Sequence, residues 1–516
     1  MAIKLGNKDS IFRNDLVFSI DAKAVNLDNT LINLYMLLQW EGQRPQQRAR
    51  RGTSVDIDLD KFTQVFSGLE KAGEIEGFLD YPKASTLWLR TNLLNLVNRG
   101  QVDNESISSL RPIHIESYRV RNAKRVRDYY SADQVYTMLG ADTQVRDALR
   151  KFLTEGWDPT TNTIKSVDMD VDSLGVLKLV KSIAPGFIKS QSSITNIQPI
   201  LPEDAALYCD DVRRLLVYKG VIPRSVLINY FKIITAFHLS CYLQKLIHLL
   251  PKMVEEGTTE VQPDWSVVVD CTDNFDSKIS VDAIEDATKL YNSIYPYLEA
   301  SFKINIALGY LDADRTDSDD LPRALSVLKD RPDDFEPYMK AVWNQAVGNL
   351  DEEDSRLVEE IVQYEDSYFD KYLALLMNQK SKRQFVEYRR LLANLSFNNS
   401  ENGFLAQGRS KKHPRRFVMG TRLLETLVQI LVLDVKDGAF TTKSLSIEEL
   451  IANLRDRYGL VINGLEELRY EGAVLNTHLA FKENVEFFKN KLRQIGFYND
   501  LSDAYILQKI RPRYNL

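Results

Sequence analysis

Ile222-Pro223-Arg224-Ser225-Val226-Leu227-Ile228-Asn229-Tyr230-Phe231-Lys232-Ile233-Ile234-Thr235-Ala236-Phe237-His238-Leu239-Ser240-Cys241-Tyr242-Leu243-Gln244-Lys245-Leu246-Ile247-His248-Leu249-Leu250 is the most apolar long stretch of the chain. Pro223 suits the first turn of a helix, because the N–H it lacks would be unpaired there anyway. The residues after it are apolar on most sides, the pattern of a helix buried in a core rather than one lying on a surface. A membrane span needs about 20 largely uncharged residues. Here Arg224, Lys232, His238, Lys245 and His248 interrupt the run. The stretch is therefore predicted to be the core helix of a folded domain.

Outward from it the reading stays helical. Towards the C-terminus, helices are expected over Glu336 to Val347, Glu352 to Asn378 and Ser381 to Leu395. The acidic run Asp312 to Asp320 reads as a solvated loop. No repeat of solenoid period stands out. Towards the N-terminus the signals mix: Thr30 to Trp40 and Leu87 to Val97 have helical spacing, whereas Val55 to Leu59 alternates as a half-buried strand does. Asn398-Asn399-Ser400-Glu401-Asn402-Gly403 has the composition of a linker. Beyond it, Thr421 to Leu431 forms an apolar helix, and Ser446-Ile447-Glu448-Glu449 is a capping box opening a second that ends at Gly459. A third spans Glu483 to Gln494, and the tail Ala504 to Tyr514 alternates enough for a strand. Three helices closed by a strand is the order of a winged helix. The expectation is thus a mainly α, multidomain helical protein with a small α+β part at 1–155, a helical domain at 156–397 and a winged-helix-like domain at 404–516.

Composition agrees with a folded chain. Of 516 residues, 44% are hydrophobic and 27% charged, and the 66 basic and 72 acidic side chains leave a net charge of −6 that selects no partner. Three cysteines without CxxC spacing give neither a disulfide framework nor a zinc site. With no apolar leader in the first residues, the expected location is the cytoplasm, away from membranes.

Candidate chemistry mostly fails at named positions. No GxxxxGK run followed by Ser or Thr is present to cradle a nucleotide's phosphates. Asp168-Met169-Asp170-Val171-Asp172 begins like a calcium loop, yet its sixth position is Ser173 in place of glycine and its twelfth is Leu179 in place of a bidentate Glu. Asp264, Asp276 and Lys278 have the order of a restriction-type nuclease, whose carboxylates hold magnesium while the lysine assists water. Asn274 to Lys278, however, reads as a turn rather than a strand. The five histidines are scattered, and His238 and His248 are too far apart on their helix to share a metal. Catalytic residues, metal ligands and cofactors are accordingly assigned to none.

Basic side chains carry the remaining signal. Arg409, Lys411, Lys412, Arg415 and Arg416 precede the expected winged helix, and Lys489, Lys491 and Arg493 lie on its third helix, the one that enters the major groove in such modules. Arg48, Arg50 and Arg51, and Arg121, Lys124 and Arg125, are further candidates for phosphate contact. Two other stretches carry a resemblance: Asp211-Val212-Arg213-Arg214-Leu215-Leu216-Val217-Tyr218-Lys219-Gly220-Val221-Ile222-Pro223-Arg224, and Gly496-Phe497-Tyr498-Asn499-Asp500-Leu501-Ser502-Asp503-Ala504 running into Arg511-Pro512-Arg513-Tyr514. They resemble accessory subunits of bacterial anti-phage defence systems, most closely the methylation-associated type, over roughly the last three hundred residues. Such subunits are encoded beside ATPases, nucleases and methyltransferases, which implies a non-catalytic role in a hetero-oligomer with an operon-encoded ATPase or nuclease. Three functions are therefore expected to compete: a DNA-binding scaffold subunit, a protein-only adaptor that regulates a partner ATPase, and a cryptic magnesium-dependent nuclease.

Overall fold

A computed structural model describes residues 12–47, 58–98, 100–101, 104–165, 169–183, 187–188, 194, 197–272, 274–313, 315–348, 350–408, 414–436, 438–464, 466–498 and 509–516. The fold is mainly α, with only short strand pairs. Contacts divide the chain into two units: a smaller one of 25–196 and 205–235, and a larger one of 1–24, 197–204 and 236–516. The apolar stretch is one helix, Arg224–Glu256, with its residues up to Thr235 in the smaller unit and the rest in the larger. It is long and apolar enough to cross a membrane, but 83% of its most apolar window is buried inside the protein.

In the smaller unit, Asn26 caps the helix Leu27–Gln39 by accepting from the Asp28 and Asn29 amides at 2.9 and 3.3 Å. Its buried face meets the helix Ser131–Leu139 and the 3₁₀ turn Ile115–Arg119. Asn33 donates to the Val126 carbonyl at 2.8 Å, satisfying a backbone group of the segment that follows Arg121. The helix expected over Leu87 to Val97 is otherwise: Pro82–Trp88 is helical, Leu89–Leu93 forms a π turn, and Leu94–Val97 pairs antiparallel with Ser106–Leu110. Pairing with a distant strand outweighs the local spacing there.

His114 lies fully buried in this unit, its Nδ1 accepting from the Glu116 amide at 3.1 Å. Burial, helped by the Arg224 charge, pushes its pKa down to about 3. The unfolded chain then binds the proton first, so the contribution to stability is complete above the ordinary histidine pKa of about 6.5 and is lost as pH falls from there towards about 3. Unfolding in urea at pH 6.5 and pH 5 is expected to show a loss of about 2 kcal/mol from this residue, which His114→Gln removes.

The larger unit strings helices from Lys278–Asn292 and Ile294–Tyr310 through Asp320–Asp330, Phe335–Val347 and Glu352–Val362 to Tyr368–Leu376 and Lys382–Leu395. The single helix expected over Glu352 to Asn378 is thus two, with Ser367 capping the second by accepting from the Asp370 amide at 3.0 Å. A π turn, Met377–Ser381, then leads into Lys382–Leu395.

A small sheet organises the end of the chain. Val267–Val268 runs parallel to Leu460–Val461, Asp270 bridges in parallel to Val418, and Arg416–Phe417 pairs antiparallel with Leu405–Ala406. Three parallel segments each lead into a helix: Thr421–Leu431, Lys278–Asn292 and Leu475–Gln494. Asn484, fully buried on the last of these, donates to the Val269 and Ile462 carbonyls at 3.0 and 2.9 Å and accepts from the Cys271 amide at 2.8 Å, tying two strand ends together.

Residues 398–403 lie within the larger unit. They form turns in which the Arg422 amide donates to the Glu401 carbonyl at 2.9 Å and the Phe404 amide to Ser396 at 3.2 Å. Of the expected winged-helix elements, Thr421–Leu431 and Ile447–Tyr458 have the expected ends, including the reciprocal Ser446–Glu449 cap and the left-handed Gly459. The hairpin Leu433–Lys436 with Ala439–Thr442 lies between those two helices. The third helix starts earlier, at Leu475, and the first part of the expected closing strand, 504–508, lies outside the described residues, while the rest shows the bridge Leu445 to Ile510.

Candidate nucleic-acid interface

The helix Lys382–Leu395 buries Tyr388, Leu391, Leu392 and Leu395, a stripe at helical spacing. Lys382, Arg383 and Arg390 are left exposed on the other side. Phe385 stacks on Tyr295 with centroids 4.5 Å apart, and the Arg389 guanidinium lies 5.5 Å from the Phe385 ring centre. Together with Lys380 in the preceding π turn, this makes a basic segment that sequence reading passed over.

Arg415 joins it. Arg415 immediately precedes the strand Arg416–Phe417, and the two arginines have different surroundings. Arg416 is only 4% exposed; its Nε donates to Asp270 at 2.7 Å, and its guanidinium sits 3.8 Å from the Phe275 ring centre. Expected as a phosphate contact, Arg416 is instead part of the interior. Arg415 is half-buried, its guanidinium 4.4 Å from the Tyr291 ring centre. Burial lowers its pKa, and the positive charge of Arg389 lowers it further.

Two orphaned polar atoms meet here. The Arg415 Nε and the Tyr291 hydroxyl are buried, and neither has a hydrogen-bond partner among the described residues. Burial lifts the Tyr291 pKa to about 12 while Arg415 and Arg389 oppose the rise, so both guanidinium charges reach the hydroxyl. Like charges side by side with unmet donors cost stability unless an anion completes them. Nearby, Lys380 of the π turn and Arg383 of the helix line a cavity of 300 Å³ with Arg13 and Lys23, against Asp21 and Glu387.

The other expected contacts are dispersed. Lys489 pairs with Glu486 at 2.8 Å, Lys491 donates to the Met419 carbonyl at 3.3 Å, and Arg493 bonds Asn490 and lies 5.2 Å from the Tyr498 ring centre. Arg121 donates to Asn33 at 2.8 Å, with burial lowering its pKa to about 10, whereas Lys124 and Arg125 are exposed. Arg48, Arg50, Arg51, Arg409, Lys411 and Lys412 lie outside the described residues.

The nuclease-like residues are engaged separately. Asp264 accepts from His248 at 2.7 Å and Lys252 at 3.0 Å, and Lys278 pairs with Asp282. Asp170, from the calcium-like run, caps the helix Val171–Ile183 by accepting from the Ser173 amide at 2.8 Å, and Asp168 lies outside the described residues. Among the described residues no group of three or more His, Cys, Asp or Glu is placed to hold a metal ion.

Residues 7–514 match the profile of the family described as "Methylation-associated defense system protein MAD7". The chain belongs to this family. No curated protein and no solved structure matches it. The MAD7 match takes in the first two hundred residues, which the sequence resemblance did not reach, so both units are parts of one family architecture. For a MAD7 chain, membership places the protein in a methylation-associated defence system.

Proposed function

We propose that this MAD7-family chain is a non-catalytic, cytoplasmic, DNA-engaging scaffold subunit of a multi-protein anti-phage complex, working with an ATPase or nuclease encoded beside it. The observation that carries the reading is the proximity of Arg389 and Arg415, two cations without a carboxylate partner among the described residues. A phosphate group supplies the counter-charge that both guanidinium groups lack. The exposed Lys382 and Arg383 extend the positive surface along the helix. None of these contacts distinguishes one base from another, so they grip the backbone rather than read sequence.

Fluorescence anisotropy with duplex and single-stranded DNA at about 50 and 200 mM salt tests this. Arg389→Glu with Arg415→Glu is expected to weaken binding by about 10- to 100-fold and to reduce the salt slope by about two. No affinity at low salt, or a double variant that binds as the natural chain does, refutes it. An adaptor role has one observation in its favour: Leu468, Val474, Leu475 and Leu479, at and before the start of the helix Leu475–Gln494, are 86%, 70%, 71% and 53% exposed. Co-purification with the neighbouring ATPase, lost on Leu475→Asp, supports that reading.

A further inference from the structure

In the smaller unit, the helices Leu59–Lys71, Pro82–Trp88 and Val171–Ile183 line a cavity of 500 Å³, within the range of preformed ligand pockets. Its wall is aromatic. Phe66 stacks on Phe78 at 5.2 Å and meets Trp88 edge-on at 5.3 Å. The wall is also held in place: Glu70 accepts from the Gly77 and Leu79 amides at 2.8 and 2.6 Å, fixing the loop that carries Phe78. The Trp88 Nε1 donates to Asp172 at 2.7 Å, and the indole packs so closely on Gly175 that a Cβ there would lie 2.9 Å from the ring.

The mouth stays open and apolar. Tyr81 and Val171 line it and are each 69% exposed, and Leu79, beside Phe78, is 46% exposed. Single exposed apolar side chains are ordinary, but several gathered around a preformed cavity mark a surface that binds something. The rim is acidic. Lys178 is taken by Glu74, which leaves Glu76 at the lining and the exposed Asp80 next to Tyr81.

We propose that this pocket docks an amphipathic helix of a partner protein, one bulky apolar side chain entering against Trp88 while a flanking lysine or arginine meets Glu76 and Asp80. The spread of apolar surface beyond the cavity fits a helix better than a small molecule, and the rim charge selects a basic flank. The site is separate from the residues assigned to DNA, and its success or failure leaves that reading untouched.

Two peptides of about 18 residues, sharing one Leu/Phe face and flanked by either lysines or glutamates, are titrated into the full chain while tryptophan fluorescence is followed. Trp88→Phe identifies the responding residue. The lysine-flanked peptide is expected to bind, Val171→Asp to weaken it at least about tenfold, and Glu76→Lys to abolish its advantage over the glutamate-flanked peptide. Val171 is exposed in the first turn of its helix, where an acid is compatible with folding. The proposal is overturned if neither peptide binds or if Val171→Asp leaves binding unchanged. It also fails if anilinonaphthalene sulfonate occupies the pocket while both peptides are refused, which indicates a small ligand. Self-association abolished by Val171→Asp would assign the pocket to a second copy of the chain and overturn it too.

Discussion

Asp270→Ala is expected to lower the stability of the larger unit by about 3–5 kcal/mol, measured as a shift in its urea unfolding midpoint. The Asp270 side chain is 0% exposed and that of Arg416 5%, and their contact is 2.7 Å. Asp270 also accepts from the Thr272 amide at 2.8 Å and from its hydroxyl at 2.7 Å, so the carboxylate orders the turn after the strand as well. Truncating it removes a buried carboxylate that the guanidinium and the Thr272 amide and hydroxyl all use, and breaking a buried ion pair from one side is the costly change. Replacing both partners, Asp270→Leu with Arg416→Met, removes charge and counter-charge together and is expected to recover most of the loss. A single variant as stable as the natural chain, or a double variant no better than the single, shows that the pair does not hold this sheet.

Arg44→Met is expected to have an effect of similar size, about 3–5 kcal/mol, in the smaller unit. Arg44 reaches Asp128 at 3.1 Å and pairs with Asp133 through two nitrogens, and the two carboxylates are only 8% and 7% exposed. Both charges hold the Arg44 pKa above its ordinary value against burial. Without the cation, two carboxylates lie close together in a poorly solvated site, where their mutual repulsion is largest when both are ionised. Stability is then lost at neutral pH and regained as protons bind. The difference between variant and natural chain should therefore shrink as pH falls towards the ordinary carboxylate range near 4. Thermal melts at pH 7 and pH 5 check this, because His114 acts equally in both proteins and cancels. A gap that stays constant or widens on acidification contradicts the assignment.

Arg44 and Arg416 show where sequence reading reached its limit. Arg416 closes a basic run expected to contact phosphate and Arg44 lies just before another, yet both are anchors whose acidic partners lie far along the chain. Charge density alone does not say which cation of a run turns inward. For Arg415 and Arg416, the start of a strand decides it, and a strand of two residues is too short to leave a pattern. Val267–Val268 and Leu460–Val461 escaped notice for the same reason, because each exists through pairing with the other. Helices were more legible, since their signals are local. The Ser446 capping box, the stop at Gly459 and the apolar face of Thr421–Leu431 all lie within a few turns of the structure they specify. Tyr291 and Arg389 belong to different helices, and only packing brings them to Arg415.

The two units differ in how the chain supplies them. Residues 25–196 and 205–235 make the smaller one, whereas the larger includes the first 24 residues and the last 281, with the Asn14 side chain donating to Asn305 at 3.1 Å. During translation the N-terminal segment leaves the ribosome before the residues it binds. It must wait, unpaired, while the smaller unit forms and synthesis proceeds through the small sheet. At about 5–20 residues per second the wait lasts tens of seconds, long enough for a chaperone or a co-translated partner to reach that segment before its own chain does.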